Sequence, residues 1–251
     1  MSEARSRRSD RELQDEVITY LADATLRGNA PELPLAPDQA QRAGRFARFL
    51  ARRYYRDRLT RSFRYSRGFR PSPEAFVDTP AFDAFLDDCV LGSLGAAESV
   101  GDLLVDHFRR LAAPGPWWND LLEYERLFFL QAATSETTVA SEFPRPTVSA
   151  RCHTFSWDLP TLMPRLKSGE PAGQELRREV TLLFSRTHLG RIYVVEVDEA
   201  TIAVFHAADG RRTPAQIAAT TSLSDAVVQQ VLRGLAQVGA VVASSAEEAT
   251  A

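Results

Sequence analysis

Apolar positions change their spacing along this chain, and each change marks an element. Val180-Thr-Leu-Leu-Phe-Ser185 and Arg191-Ile-Tyr-Val-Val-Glu-Val197 are rich in β-branched and aromatic side chains and end at turn residues. Both are predicted strands. From Asp198 onward the spacing becomes helical. Asp198 and Glu199 open a first short helix that Gly210 closes at its C′ position. Thr213-Pro-Ala-Gln216 is a capping box with proline at the first helical position, so a second helix starts there. Ser224 caps a third, whose Val227, Val228, Val231, Leu232, Leu235 and Val238 make one stripe ahead of Gly239.

The upstream part is helical by the same criterion. Ser9-Asp-Arg-Glu12 has the capping-box pattern, and Leu13, Val17, Tyr20, Leu21 and Ala24 continue it as an amphipathic helix. Asn29 to Pro37 holds three prolines and is a loop. A second helix runs from about Asp38 to Tyr55 or beyond, with Phe46, Phe49 and Leu50 on one side. Further helices are expected around Pro80–Leu91, Ser99–Leu111 and Asp120–Ala133. The stretch from Ser141 to Gly173 holds five prolines and one alternating segment, Val148 to Trp157, which is a candidate strand added to the C-terminal part. The expected organisation is an α-helical docking domain (1–140), a proline-rich connector with a strand (141–179) and a C-terminal recognition domain (180–251). The class is α+β: a helical N-terminal domain followed by strands and a tri-helical unit, which is the winged helix-turn-helix plan.

Composition narrows the setting. Hydrophobic residues make up 44% of the chain, enough for folded cores, and no apolar run reaches the length of a membrane helix. Met1 to Arg8 is charged and lacks the apolar centre of a secretory signal. Two cysteines, Cys89 and Cys152, do not make a disulfide framework, so a reducing, cytoplasmic location is expected. Of the 30 basic residues only Lys167 is lysine, a bias that composition alone explains as readily as phosphate binding does. Between Arg42 and Arg70 there are eleven arginines against one acid, Asp57; between Pro71 and Phe108 there are eight acids and no lysine or arginine. These two blocks either neutralise each other within one domain or present a docking surface for an acidic partner.

The search for catalytic chemistry is thin. The four histidines, His107, His153, His188 and His206, are widely spaced, with no metal-binding pair at helical spacing. Cys152 beside His153 invites a nucleophile–base reading, but neighbours on a strand point to opposite faces. Glu123 and Glu125 are expected on the wet face of their helix, and Trp117 and Trp118 either in the core or at an interface. No catalytic residue, metal ligand or cofactor is assigned to this chain.

Two binding functions fit the C-terminal plan. The third helix offers Gln229, Gln230, Arg233 and Gln237 to a nucleic acid, but five arginines and five acids between Val180 and Ala243 leave that part neutral. Phosphate neutralisation supplies most non-specific affinity for DNA, which makes a winged-helix transcriptional regulator the alternative. The other use is β-augmentation, in which an extended peptide adds to an open strand edge. The strand from Ile192 to Val197 suits it, with Tyr193, Val195 and Val197 on one face and Ile192 and Val194 on the other. Val195 is taken as an edge donor.

Known families sharpen the second reading. The run Leu183-Phe-Ser-Arg, Arg191-Ile-Tyr-Val-Val, Ala203-Val-Phe, Asp209-Gly-Arg-Arg-Thr-Pro-Ala-Gln-Ile-Ala, Val227-Val-Gln-Gln-Val-Leu-Arg-Gly-Leu and Gly239-Ala-Val resembles PqqD-like domains. Those are the recognition elements of pathways that modify ribosomally made peptides. Arg53-Tyr-Tyr-Arg-Asp-Arg-Leu59, Phe82-Asp-Ala-Phe-Leu86 and Trp118-Asn-Asp-Leu-Leu-Glu-Tyr-Glu125 resemble the helical domain of HvfC/BufC-type partner proteins. Such proteins accompany multinuclear non-heme iron-dependent oxidative enzymes acting on cysteine. The resemblance implies a non-catalytic subunit in a heterodimer with such an enzyme, which supplies the iron. A cysteine-containing precursor peptide would lie along Arg191, Ile192, Tyr193, Val194, Val195 and Val197, against Val228, Leu232 and Leu235. Arg52, Arg56, Trp117, Trp118, Phe155 and Trp157 would dock the enzyme.

Overall fold

The computed structural model describes residues 37–69, 73–111, 113–134 and 141–242. The expected helix over 9–24 and the loop over 29–37 lie outside them, apart from Pro37, which opens helix α1. The chain is mixed helix and sheet, α+β. Its helical half is built from α1 (Pro37–Ser62), a single turn α2 (Pro73–Phe76), α3 (Pro80–Asp88), α4 (Leu94–Arg109) and α5 (Trp118–Ala133). Thr79 and Ser93 cap α3 and α4 by accepting the N–H of Phe82 and Ala96. α5 packs on both α4 and α1. On α1 the core stripe is Ala47, Ala51, Tyr55 and Leu59, all buried. Phe46 and Phe49 fall on the opposite side and stand in solvent at 49% and 56% exposure.

The last carbonyls of α5 have no partners within the helix, and three side chains supply them. Tyr54 donates its hydroxyl to the Ala133 carbonyl at 2.8 Å, Arg58 donates Nε to Ala132 at 3.1 Å, and Arg186 donates Nη1 to Gln131 at 3.2 Å and Thr134 at 2.8 Å. Two cations at the negative end of a helix dipole add to the hydrogen bonds. Since Arg186 belongs to the sheet, this cap also ties the two halves together.

Downstream come β1 (Arg145–Pro146), β2 (Arg151–Phe155), α6 (Leu159–Ser168), β3 (Val180–Arg186), β4 (Ile192–Glu196), α7 (Glu199–Ala207), α8 (Pro214–Thr221), α9 (Asp225–Gln237) and β5 (Val241–Val242). The stretch expected as a connector is therefore folded. It supplies β2, and Phe155, Trp157, Leu159, Leu162, Met163 and Leu176 from it are buried in the core of the helical half. The main sheet is antiparallel, in the order β2-β3-β4. Leu183 sits opposite Cys152 and Val195; Phe184 sits opposite Arg151 and Val194.

That register decides the architecture. Successive side chains of a strand point to opposite faces. Val180, Leu182 and Phe184 join Phe155 and Val194 in the core of the helical half. Leu183, with Cys152, Val195 and Val197, joins Val204, Ile217, Val228, Leu232 and Leu235 in a second core beneath α7, α8 and α9. The sheet is thus a shared wall, which is why β3 reads as a continuous apolar run and not as an alternating one.

Each of the three C-terminal helices carries the cap expected of it. Asp198 accepts from Thr201 N–H at 2.8 Å, Thr213 and Gln216 exchange both capping-box bonds, and Ser224 accepts from Val227 N–H at 3.4 Å. After α9 the chain turns at Gly239 (φ +73°) and forms β5, which pairs with β1. A Cβ at Gly239 would collide with the backbone of Arg186 and Thr187. Gly239→Ala is expected to lower stability by about 2–3 kcal/mol through combined clash and left-handed strain, measured by urea unfolding.

No helix among the described residues is long and apolar enough to cross a membrane.

Candidate functional site

The open edge of β4 is the feature on which the C-terminal part converges. Val197 N–H donates to the Thr181 carbonyl at 3.0 Å, and Thr187 N–H donates to the Arg191 carbonyl at 2.9 Å. In an antiparallel pair these bonds set the phase for the whole strand. Arg191, Tyr193, Val195 and Val197 turn their main-chain groups toward β3. Ile192, Val194 and Glu196 turn theirs to the open side, where no described strand pairs with them. This corrects the sequence expectation at one point. Val195 is not an edge donor, because its N–H belongs to the β3 ladder; Val194 is.

Side chains along β4 are half-buried from Ile192 to Val195. Ile192 and Val194 lean toward the helical half, and Tyr193 and Val195 toward the tri-helical side. Arg191 is exposed and donates to the Tyr193 hydroxyl at 3.4 Å. Beside the hairpin end of β4 lies an open cleft of about 820 Å³. Thr147, Arg186, His188, Arg191, Tyr193 and Gln237 supply its polar lining, which contains no carboxylate. Leu189, at the hairpin tip, is 83% exposed.

Helix α9 takes a different part from the one expected of it. Val228, Leu232 and Leu235 are core residues, buried against Leu183 and Ile217, and are closed to a peptide. A stripe apolar enough to hold the helix on the sheet is used up in doing so. What α9 offers to the cleft is its C-terminal end, Ala236 and Gln237. Gln229, Gln230 and Arg233 face solvent, as does Val227 in part.

The residues expected to dock a partner separate into two sets. Trp117, Trp118, Phe155 and Trp157 are buried and are corrected to core positions. Trp117 and Trp118 pack edge-on to Phe69, with Phe108 against Trp118, while Phe155 packs on Phe184 and Tyr124. Large rings next to a helix start fill the space between α4 and α5 more favourably than they would sit in water. Arg52 pairs with Asp83 and Asp78 and donates to the Val77 carbonyl; Arg48 pairs with Asp83 and Asp87. The acidic block therefore neutralises only one side of α1. Arg56 is exposed, with no acid partner among the described residues.

The suspected catalytic groups are placed by packing. Cys152 points to the tri-helical core and His153 to the opposite face, and burial pushes the Cys152 thiol up to about 11. Glu123 pairs with Arg126 at 2.8 Å. Glu125 is not on a wet face. It is wholly buried, and its carboxylate accepts the N–H groups of Tyr65 at 2.6 Å and Ser66 at 3.2 Å. Burial pushes it up to about 7 against the opposing pull of those hydrogen bonds. On a helical wheel Glu125 falls between Leu121, Leu122 and Phe129, so its spacing already places it on the buried face; the turn at 65–68 that supplies its hydrogen bonds comes from tertiary structure alone. Among the described residues, no group of three or more histidine, cysteine, aspartate or glutamate side chains is placed to hold a metal ion.

No protein-family model matches the chain, and no curated protein sequence matches it.

Proposed function

We propose that this chain is a non-catalytic partner subunit that captures a precursor peptide by β-augmentation on the open edge of β4. The single observation that carries this reading is the register of β4. Ile192, Val194 and Glu196 present main-chain donors and acceptors along a half-buried strand. Unpaired backbone groups on an apolar edge are a template for another strand. Each hydrogen bond gained there contributes about 0.5–1.5 kcal/mol net. The antiparallel hairpin β3-β4 followed by three capped helices supports the likeness to PqqD-like recognition domains. The module's charge balance argues against DNA as the ligand, and that alternative predicts steep weakening with salt. In this reading the helical half docks an iron-dependent oxidative enzyme and holds the peptide's cysteine near its metals. Tethering raises the local concentration of that end without chemistry by this chain.

The test is fluorescence anisotropy with a set of labelled, extended, cysteine-containing peptides. Val194→Pro removes the central outward donor while leaving the β3 ladder intact, and proline on an outward edge position is tolerated. Affinity is expected to fall about two- to tenfold in a folded variant, with little change between low and moderate salt. Unchanged affinity in folded Val194→Pro would sink augmentation at this edge. Tight, strongly salt-dependent binding to duplex DNA would move the assignment to the regulator.

A further inference from the structure

The open edge of β4 changes sign along its length. At its far end Glu196 is exposed, and Asp198 and Glu199 follow just beyond it at the start of α7. Arg178 bridges Glu196 and Asp158 there, at 3.1 and 2.9 Å. At the hairpin end the charge is positive. Arg191 is exposed, its guanidinium makes one hydrogen bond, to the Tyr193 hydroxyl, and it has no acid partner among the described residues. Arg186 beside it is already committed, because its Nη1 holds the Gln131 and Thr134 carbonyls. It adds positive charge to the cleft of about 820 Å³ and leaves Arg191 as the guanidinium open to a ligand. His188 and Gln237, both exposed, add donors, and no carboxylate borders the cleft. Helix α9 also ends here, but the carbonyls of its negative end are occupied. Gly234, Leu235 and Ala236 accept the N–H groups of Val238, Ala240 and Gly239, while Val238 and Gly239 accept the hydroxyls of Ser185 and Thr147.

We propose that this cleft takes an aspartate or glutamate side chain of the captured peptide, at the C-terminal end of its paired stretch, held by Arg191. The assignment rests on peptide capture at β4 and adds to it a direction and a charge. Antiparallel pairing is the more stable mode and the one both ladders of this sheet use. β4 runs from Ile192 at the hairpin to Glu196, so an antiparallel peptide enters beside Glu196 and leaves beside Ile192. Its C-terminal side therefore arrives at Arg191, and its N-terminal side at Glu196, Asp198 and Glu199. An acid at the first place is attracted; the same acid at the second is repelled. A guanidinium offers a carboxylate two parallel donors, a match that a neutral amide does not make. Because Arg191 is exposed, the pair adds only what surface ion pairs add, about two- to fivefold in affinity. It selects among peptides that the strand edge holds already.

Anisotropy titration of the full chain with three labelled peptides tests it. They share one extended, cysteine-containing stretch of alternating apolar residues and end in an amide, so that no terminal carboxylate competes. They differ only beside that stretch: asparagine on both sides, aspartate after it, or aspartate before it. Aspartate after the stretch is expected to raise affinity about two- to fivefold over the neutral peptide, and aspartate before it to give no gain. The gain is expected to shrink as salt is raised, since the pair is exposed. Arg191→Gln is expected to bring the ratio of acidic to neutral affinity back to about one, and Arg191→Lys to keep part of the gain. The ratio is the quantity to read, because a general loss of binding leaves it unchanged. Neutral and acidic peptides that bind alike overturn the carboxylate site and leave capture standing. So does an equal gain from aspartate at either end, a gain only from aspartate before the stretch, or a gain that survives Arg191→Gln. If none of the three peptides binds, capture at β4 fails and this assignment fails with it.

Discussion

Phe184→Ala lowers the stability of the whole chain, not of one half, by about 3–5 kcal/mol, the range for deleting a buried ring. Phe184 is wholly buried, pointing into the core of the helical half, where it meets Tyr124 at 5.3 Å and Phe155 at 6.2 Å between ring centroids. Its sequence neighbour Leu183 points the other way, into the core under α7–α9. Leu183→Ala is expected to cost about 2–5 kcal/mol by the same cavity argument. Two independent domains would give each variant its own transition. A shared sheet gives one. Thermal unfolding followed by far-ultraviolet circular dichroism and by tryptophan fluorescence checks this, because Trp117, Trp118 and Trp157 all lie on the helical side. Coincident transitions that shift together in both variants are expected; a fluorescence transition unmoved by Leu183→Ala would show that the halves unfold separately.

Glu125→Gln removes a pH dependence that the parent chain carries between about pH 4.5 and pH 7. The folded-state pKa of Glu125 is raised to about 7, whereas the unfolded carboxyl titrates near its ordinary 4.5. The folded state therefore holds the proton more tightly. That contribution is fully present below pH 4.5 and is lost as pH rises through 7, a total of about 3 kcal/mol. His107 acts in the opposite direction, since burial lowers its pKa and its contribution is lost on acidification. Glu123, lowered despite its burial through Arg126, loses its contribution only in more acidic solution. The quantity to measure is consequently the difference between parent and variant. A neutral amide keeps an acceptor for Tyr65 and Ser66 without the buried charge. At pH 8 the variant is expected to be more stable than the parent by about 1–3 kcal/mol, with the difference closing toward pH 5. A difference that stays constant across this range would mean that Glu125 keeps an ordinary pKa.

Local signals in the sequence determined most of the elements. Asp198, Thr213 and Ser224 each cap the helix that follows, because a cap involves groups only three residues apart; Ser93 caps α4 ahead of the Ser99 start that periodicity predicts, and α6 lies in the stretch expected as a connector. The strands over 151–155, 180–186 and 192–196 followed from alternation and β-branching, and so did the opposite faces of Cys152 and His153. Periodicity relates residues within one element and carries no information about what lies on the other side. Whether Trp117, Trp118, Phe155 and Trp157 meet a partner or the core was for that reason decided by packing alone. The same holds for the distant turn that supplies Glu125 with its hydrogen bonds, and for Phe46 and Phe49, which lie opposite the stripe that α5 covers.

The candidate site divides along the same line. Residues 191–197 could be read from the sequence as a strand apolar on both faces, and only the pairing with β3 chose which of them face outward. An extended strand offers main-chain groups on both edges, alternately, and a shift of register by one residue exchanges them. Val194, Ile192 and Glu196 lie on the open side because Thr181 and Thr187 hold Val197 and Arg191 on the other. Most of the elements, their caps and the face alternation belong to the sequence; the open edge, the shared sheet wall and the hydrogen bonds of the buried carboxylate belong to the tertiary structure, which alone brings distant backbone groups into register.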